Sequence, residues 1–248
     1  MAPLDVLARE PTADIGEGAA ELNARYGDRS ATAIIDVATT EIFPGRIALV
    51  SSFGAESAVL LDLVAEVDRS LPVIFLDTGR LFPETLAYRT ELAERLRLTD
   101  VRSISPAPER LAANDRHGAL WMTNPDLCCH FRKTEPLQRA LAGFDAWFTG
   151  RKRFQSSVRA ALPVFETDGG RMKVNPLAGW KGAELKAYAV AHDLPAHPLV
   201  AKGFLSIGCV PCTTKVEAGE DARAGRWRGL GKDECGIHTD LEIDGSGI

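Results

Sequence analysis

RIALVSSFGAESAVLLDLVAEV, residues 46–67, decides the fold. A short apolar, β-branched run (46–52) reads as a buried strand. Small residues follow in SSFGAES (51–57), and then AESAVLLDLVAEVDRS carries apolar residues at helical spacing. The same unit recurs outward from this stretch. LPVIFLD (71–77), DVRSIS (100–105) and DAWFTG (145–150) read as further strands. PETLAYRTELAERLRL, EPLQRALAG (135–143) and GAELKAYAVAHDL (182–194) read as helices, with Pro83 and Glu84 suited to a first turn. Strand–helix repetition predicts an α/β fold with a doubly wound, mostly parallel sheet and ligands at the C-terminal strand ends. From about residue 195 Gly, Pro, Cys and Arg accumulate and periodicity fades, which predicts an irregular C-terminal segment packed on the domain. The expected division is an N-terminal segment (1–30), an α/β domain (31–200) and a C-terminal segment with a mobile tail (201–248). No internal repeat or low-complexity tract interrupts the chain.

Two strand ends carry chemistry. In Ser51, Ser52, Phe53, Gly54, Ala55, Glu56 and Ser57, small residues let backbone N–H groups approach an anion, and the following helix N-terminus adds about half a positive charge. The loop is neither a Walker A motif nor a GxGxxG fingerprint. Asp77, Thr78, Gly79 and Arg80 form a second loop that could hydrogen-bond a ribose or base, with Gly79 permitting close approach. The plainer alternatives are an ordinary strand-to-helix turn and an ordinary βα loop.

The chain has 248 residues, 45% of them hydrophobic and 25% charged, with a formal net charge of −5. This suits one large domain and argues against nucleic-acid binding driven by bulk basicity. No basic stretch followed by an apolar run suggests a signal peptide, and no window approaches the roughly 20 apolar residues of a membrane span. The default expectation is a cytoplasmic protein, in which five cysteines serve metal or redox chemistry rather than disulfides.

Four of the five come in pairs. DLCCHFRKTEP contributes Cys128 and Cys129, and SIGCVPCTTK contributes Cys209 and Cys212. The C-x2-C spacing lets both sulfurs face one metal, whereas adjacent cysteines diverge unless a helix bend turns them together. Four thiolates suit tetrahedral zinc or an iron–sulfur cluster, and spacing does not choose between them. Packing as small hydrophobes and a reversible disulfide are the other readings. Cys235, in KDECGIHTD (232–240), is flanked by charges, a Gly and a His, and is expected to be an exposed thiol free for chemistry.

SSFGAES, LDTGRLFPET, CCHFRKTEPL, TGRKRFQSS, SIGCVPCT and ECGIH occur in this order. Together they resemble the assimilatory sulfonucleotide reductases of the Cys-Cys…Cys-x2-Cys type, which reduce adenosine 5′-phosphosulfate (APS). The likeness spans about residues 46–238. It implies a fold of the adenine-nucleotide α-hydrolase (PP-loop) type, one 4Fe-4S cluster on Cys128, Cys129, Cys209 and Cys212, and Cys235 as nucleophile. Cys235 would attack the sulfur of APS, release AMP and carry an S-sulfocysteine that thioredoxin or a similar dithiol protein resolves to sulfite. Substrate contacts are implied at Gly150, Arg153, Arg159, Arg223, Arg226 and His238, with Lys133 between cluster and substrate. The tail would cover the nucleotide and then swing out, with Gly229, Gly231 and Gly236 giving freedom around Cys235.

The pattern departs from the family at Phe154, where relatives often carry an acidic residue, and in a stretch to Arg159 that is one residue short. Ten residues, TDLEIDGSGI, also follow His238; they look disordered and carry no assigned function. Neither a membrane nor a nucleic-acid partner is expected, and homo-oligomerisation stays open. The rivals are reduction of the 3′-phosphorylated substrate PAPS or of both substrates, an ATP pyrophosphatase of the tRNA-thiolation kind, and a metal-thiolate redox sensor. The last would leave both nucleotide loops unexplained.

Overall fold

The computed structural model describes residues 15–232 and 234–238. The expectations for residues 1–14 and for TDLEIDGSGI (239–248) lie outside them. Six strands form one sheet: β1 (Ile47–Val50), β2 (Val73–Leu76), β3 (Val101–Ile104), β4 (Ala146–Phe148), β5 (Phe165–Asp168) and β6 (Arg171–Val174). Their order is β3-β2-β1-β4-β6-β5, and every neighbouring pair is parallel except β5 with β6. The first four strands are those expected. The β5–β6 hairpin is not among the expectations, although its signal is present: Asp168 pairs with Arg171 across Gly169 and Gly170. These glycines adopt φ of +53° and +81°, as a two-residue hairpin turn with positive φ at both central positions requires.

Side-chain parity explains the layers. Ile47 and Leu49, Val73 and Phe75, and Ala146 and Phe148 join one buried core. The alternate residues Ala48, Ile74 and Trp147 join a second core with Leu137 and Leu141, because successive side chains leave a strand on opposite faces. The first core is covered by α1 (Ile15–Tyr26), α2 (Ala31–Val37), α3 (Ser57–Val67), α4 (Pro83–Arg95) and α9 (Gly182–Ala191). In α3 Ala58, Val59, Leu60, Leu61, Leu63, Val64 and Ala65 are all buried, so the helix is apolar almost all round and central.

The second face is covered by α8 (Glu135–Ala140) and, at the strand ends, by Ile237 of the C-terminal tract. Between β3 and α8 lie the short helices α5 (Pro108–Asn114), α6 (Leu120–Thr123) and α7 (Pro125–Cys129). After β3 the chain returns to place β4 on the other side of β1. The strand order therefore reverses between β1 and β4, the position at which open α/β sheets bind ligands.

Among the described residues after 199 the backbone makes only three-residue helical turns, at Val200–Lys202 and Val210–Cys212. The tract is tied to the domain by a bridge between Leu81 and Cys209 and to itself by one between Thr213 and Arg226. Among the described residues no helix is long and apolar enough to cross a membrane.

Candidate active site

The strand-end loop is shaped by one strained residue. Phe53 adopts φ of +47°, a conformation costing about 1–3 kcal/mol for a bulky residue. Burial offsets this, since the ring is fully enclosed and meets Phe75 edge-on at 5.6 Å. The left-handed step turns the chain, and Gly54 N–H then donates to Ser57 Oγ at 2.9 Å. A Cβ on Gly54 would lie 3.2 Å from Ser52 Oγ and 3.4 Å from the Ile207 carbonyl oxygen, so a glycine lets the C-terminal tract close over the loop. The acid in this loop is already neutralised. Lys152 Nζ and Gln155 Nε2 each donate to Glu56 Oε2 at 2.7 Å. Burial pulls the Lys152 ammonium below its ordinary value while Glu56 opposes that pull.

Cations gather beyond the end of β4. Arg159 grips Glu234 through two bonds, Nε to Oε1 at 2.7 Å and Nη2 to Oε2 at 2.6 Å. Arg223 Nη2 lies 3.6 Å from the same carboxylate. Arg151 pairs with Glu166, and Lys173 sits 3.3 Å from Asp168. The His238 ring stacks on Trp147 at 6.0 Å and 9°. Burial first, then Arg151, Arg159, Lys173 and Arg223, hold its pKa well below the usual value. It is therefore a neutral imidazole at neutral pH. Its Nδ1 is enclosed with no hydrogen-bond partner among the described residues.

The sulfurs form the third side. α7 ends at Cys129 and runs through a π-helical turn, His130–Thr134, into α8, with the Glu135 N–H reaching back to the His130 carbonyl. This bulge supplies the local bend that adjacent cysteines need in order to face one space. Cys129, Cys209, Cys212 and Cys235 pack with Trp227 in one cluster. Thr78 Oγ1 and Cys209 Sγ lie 3.2 Å apart. Burial pushes the Cys128 thiol up to about 11, with Arg132 opposing, so ionisation there calls for a metal in the proton's place. No three sulfurs among the described residues lie within 4.8 Å of one another. Four buried thiols of this kind are the donor set that zinc or an iron–sulfur cluster takes.

Cys235 departs from its expected exposure: it is 8% exposed. Two described charges beside it engage partners: Lys232 pairs with Asp126, and Glu234 with Arg159. With no metal on Cys129, its thiol donates a hydrogen bond that holds the Cys235 thiol well below the ordinary value against burial, and Lys133, the Ile237 N–H and Arg226 assist. Burial pulls the Lys133 ammonium down, but the negative charge of the Cys235, Cys209 and Cys129 thiolates outweighs it and raises the group. Arg226 lies 4.3 Å above the Trp227 ring and fills the space over Gly208, where a Cβ would come within 2.4 Å of its Nη2.

One cavity of about 340 Å³ joins the strand ends, the cations and Cys235, with Cys128, Cys129, Cys209 and Cys212 outside its lining. From the strand ends Ser51, Ser52, Gly54, Ala55, Glu56, Ser57, Thr78 and Gly150 line it, and Lys133 and Arg159 line it from the side. Arg223, Arg226, Cys235 and His238 close it from the C-terminal tract. Phe53, Asp77, Gly79, Arg80 and Arg153 lie outside the lining. Asp77 accepts from the Gly79 N–H at 3.0 Å, Arg80 Nη2 donates to the Gly118 carbonyl, and Arg153 Nε donates to the Leu162 carbonyl at 2.8 Å. Arg151 and Lys152, two of the cations that GRKR offers to an anionic substrate, line the cavity, and so do Gln155 and Glu234, for which the sequence suggested no role. GRKR and ECGIH contained the signal, but strand-exit geometry chooses among neighbouring cations.

The phosphoadenosine phosphosulfate reductase domain matches residues 46–215. An adenosine 5′-phosphosulfate reductase of Mesorhizobium japonicum is 55% identical over 226 residues, covering 91% of this chain and 89% of that one. A phosphoadenosine 5′-phosphosulfate reductase of Gloeobacter violaceus is 40% identical, with 95% and 100% covered. The crystal structure of a Candida auris phosphoadenylyl-sulfate reductase in complex with phosphate superposes with a TM-score of 0.70 at 30% identity, covering 84% of this chain and all of that one. The sheet is accordingly of the PP-loop nucleotide-binding type, and the chain is a member of the phosphoadenosine phosphosulfate reductase domain family.

Proposed function

We propose that this chain reduces APS to sulfite and AMP in cytoplasmic sulfate assimilation. The observation that carries the reading is one cavity that Cys235 lines together with the serine loop and the arginine group. The loop and the α3 N-terminus receive the nucleotide's anionic part, and Arg159, Arg223 and Arg226 neutralise the phosphosulfate that would otherwise repel a thiolate. Cys235 Sγ then attacks the sulfonate sulfur. The S–Sγ bond forms, the S–O bond to phosphate breaks, and AMP leaves with the electron pair. Arg80, Asp77, Gly79 and Arg153 support the shell around this site rather than the cavity wall.

An external dithiol, thioredoxin or a similar protein, next attacks Cys235 Sγ. Sulfite departs with two electrons, and the second thiol of the donor releases Cys235 while the donor becomes a disulfide. Since Cys235 is buried, this second step requires the tail to move outward. Cys128, Cys129, Cys209 and Cys212 would hold a 4Fe-4S cluster, which their buried 2+2 arrangement beside Lys133 fits. When bound, the cluster supplies a fixed anionic anchor between residues 128–129 and 209–212.

Incubating the protein with APS and no dithiol should place one sulfonate on Cys235 by peptide mass spectrometry; an adduct on another cysteine, or none, overturns the reading. PAPS competes as the second substrate because relatives of both names align over most of the chain. Sulfite release measured with APS and PAPS together separates the two.

A further inference from the structure

The cationic group that the proposed function assigns to the phosphosulfate already holds an anion, and that anion belongs to the chain itself. Glu234 is bound by Arg159 through the two-pronged geometry that a phosphate or sulfonate would use, at 2.7 and 2.6 Å. Arg223 Nη2 lies at 3.6 Å and Ser156 Oγ at 3.5 Å. The Arg159 and Glu234 side chains are only 8% and 9% exposed, so water screens this pair weakly. Charge-assisted forked pairs of this kind are the strong ones. Glu234 also immediately precedes Cys235, about 3.8 Å away along the backbone, so the carboxylate cannot leave its arginine without moving the thiol.

We infer that Glu234 is an internal substrate mimic, a carboxylate that occupies the anion subsite of Arg159 and Arg223 while the cavity is empty and keeps Cys235 packed with Trp227 and the paired cysteines. The inference rests on the proposed reading of the cavity as a sulfonucleotide site. An entering phosphate or sulfonate takes the two arginines, the carboxylate is expelled, and the adjacent thiol is released from the cysteine cluster. Glu234 is thus a positioning residue: the event that fills the site also frees the nucleophile. With the cavity empty, the thiol stays inside and sheltered from unrelated electrophiles.

The test uses the cluster-containing protein and the Glu234→Gln variant, which keeps shape and removes charge. Titration calorimetry with AMP in one arm and inorganic sulfate in the other should show at least one anion binding about tenfold tighter to the variant, since the internal competitor is gone. The arm that changes identifies which group Glu234 imitates. Unchanged or weaker binding of both anions overturns the inference and makes Glu234 a brace for the arginines.

In parallel, iodoacetamide labelling mapped by peptide should be slow at Cys235 in ligand-free wild type and several-fold faster in Glu234→Gln. Glu234→Asp should restore the slow rate. Equal rates in wild type and Glu234→Gln also overturn the inference, as does faster labelling at all five cysteines, which marks general loosening. Neither readout needs turnover. A missing sulfonate adduct on Cys235 would therefore sink the proposed chemistry, whereas these two arms decide the mimic on their own.

Discussion

The strand-end half and the sulfur half of this cavity are held together by different physics. Residues 51–57 hang between β1 and α3, whose side chains are almost entirely buried. The loop inherits its shape from a parallel sheet stabilised by apolar burial, at about 25 cal/mol per Å² of area removed from water. Residues 200–238 have no regular element longer than three residues among those described. They are fixed by turn bonds, ion pairs and a knot of thiols around Trp227. The first half is preorganised by the fold itself. The second depends on what the cysteines bind and on how charges are matched, which makes it the half able to open.

The largest effect tests whether one sulfur does the chemistry. Cys235→Ser should lose sulfite release by about three orders of magnitude or more, as loss of a covalent nucleophile does. AMP binding and visible absorption should persist, because neither depends on that sulfur. Cys212→Ser should instead bleach the absorption and expose residues 200–238 to limited proteolysis, with far-ultraviolet circular dichroism of the sheet nearly intact. If the whole molecule unfolds with the cluster, the two halves are not separable.

Gly225→Ala attacks the sulfur half through its backbone. Its Cβ would fall 2.2 Å from the Thr214 carbonyl oxygen, beside the Thr213–Arg226 bridge. A loss of about 2–3 kcal/mol in denaturant unfolding is expected, with a larger fall in kcat/KM than in AMP affinity. Lys152→Met attacks the strand-end half by leaving Glu56 without its ammonium beside the loop. Weaker AMP binding, by about 1–3 kcal/mol, is expected by calorimetry.

The smallest effect is a pH dependence to which His197, packed against α4, contributes. His197 accepts from the Leu199 N–H at Nδ1 and meets Thr85 Oγ1 through Nε2 at 3.1 Å. Burial lowers its pKa from 6.5 to about 4. A depressed histidine contributes stability that is complete above the unfolded value and is lost as pH falls from 6.5 toward 4. The unfolding free energy from denaturant titration should therefore fall by about 1 kcal/mol by about pH 5.5, and a His197→Gln variant should show a flatter profile over the same window.

The sheet was legible because burial leaves a periodic trace. Four apolar runs separated by helical patterns predict β1 to β4, and the strand-end loop announces itself through small residues. The hairpin β5–β6 escaped notice since its strands, FETD and RMKV, alternate too weakly to stand out, even with Gly169 and Gly170 marking the turn. In the site, residue types were readable and directions were not. Phe53 belongs to an anion loop by position, yet its ring turns inward to Phe75. Arg151 and Lys152 face the cavity while Arg153 turns away to the Leu162 carbonyl. The twist at a strand exit decides that choice, and no pattern of residue types encodes it.

By itself, then, the sequence determined the α/β class, the two strand-end loops, the 2+2 cysteine pattern and the odd fifth thiol, all of which rest on local periodicity or fixed spacing. Only the tertiary structure decided that Cys235 lies inside rather than in solvent. It alone also set Glu234 on Arg159, a residue 75 positions away along the chain. Such pairings depend on charge and packing between segments far apart in the chain, and those interactions are set when the segments fold together rather than within either one.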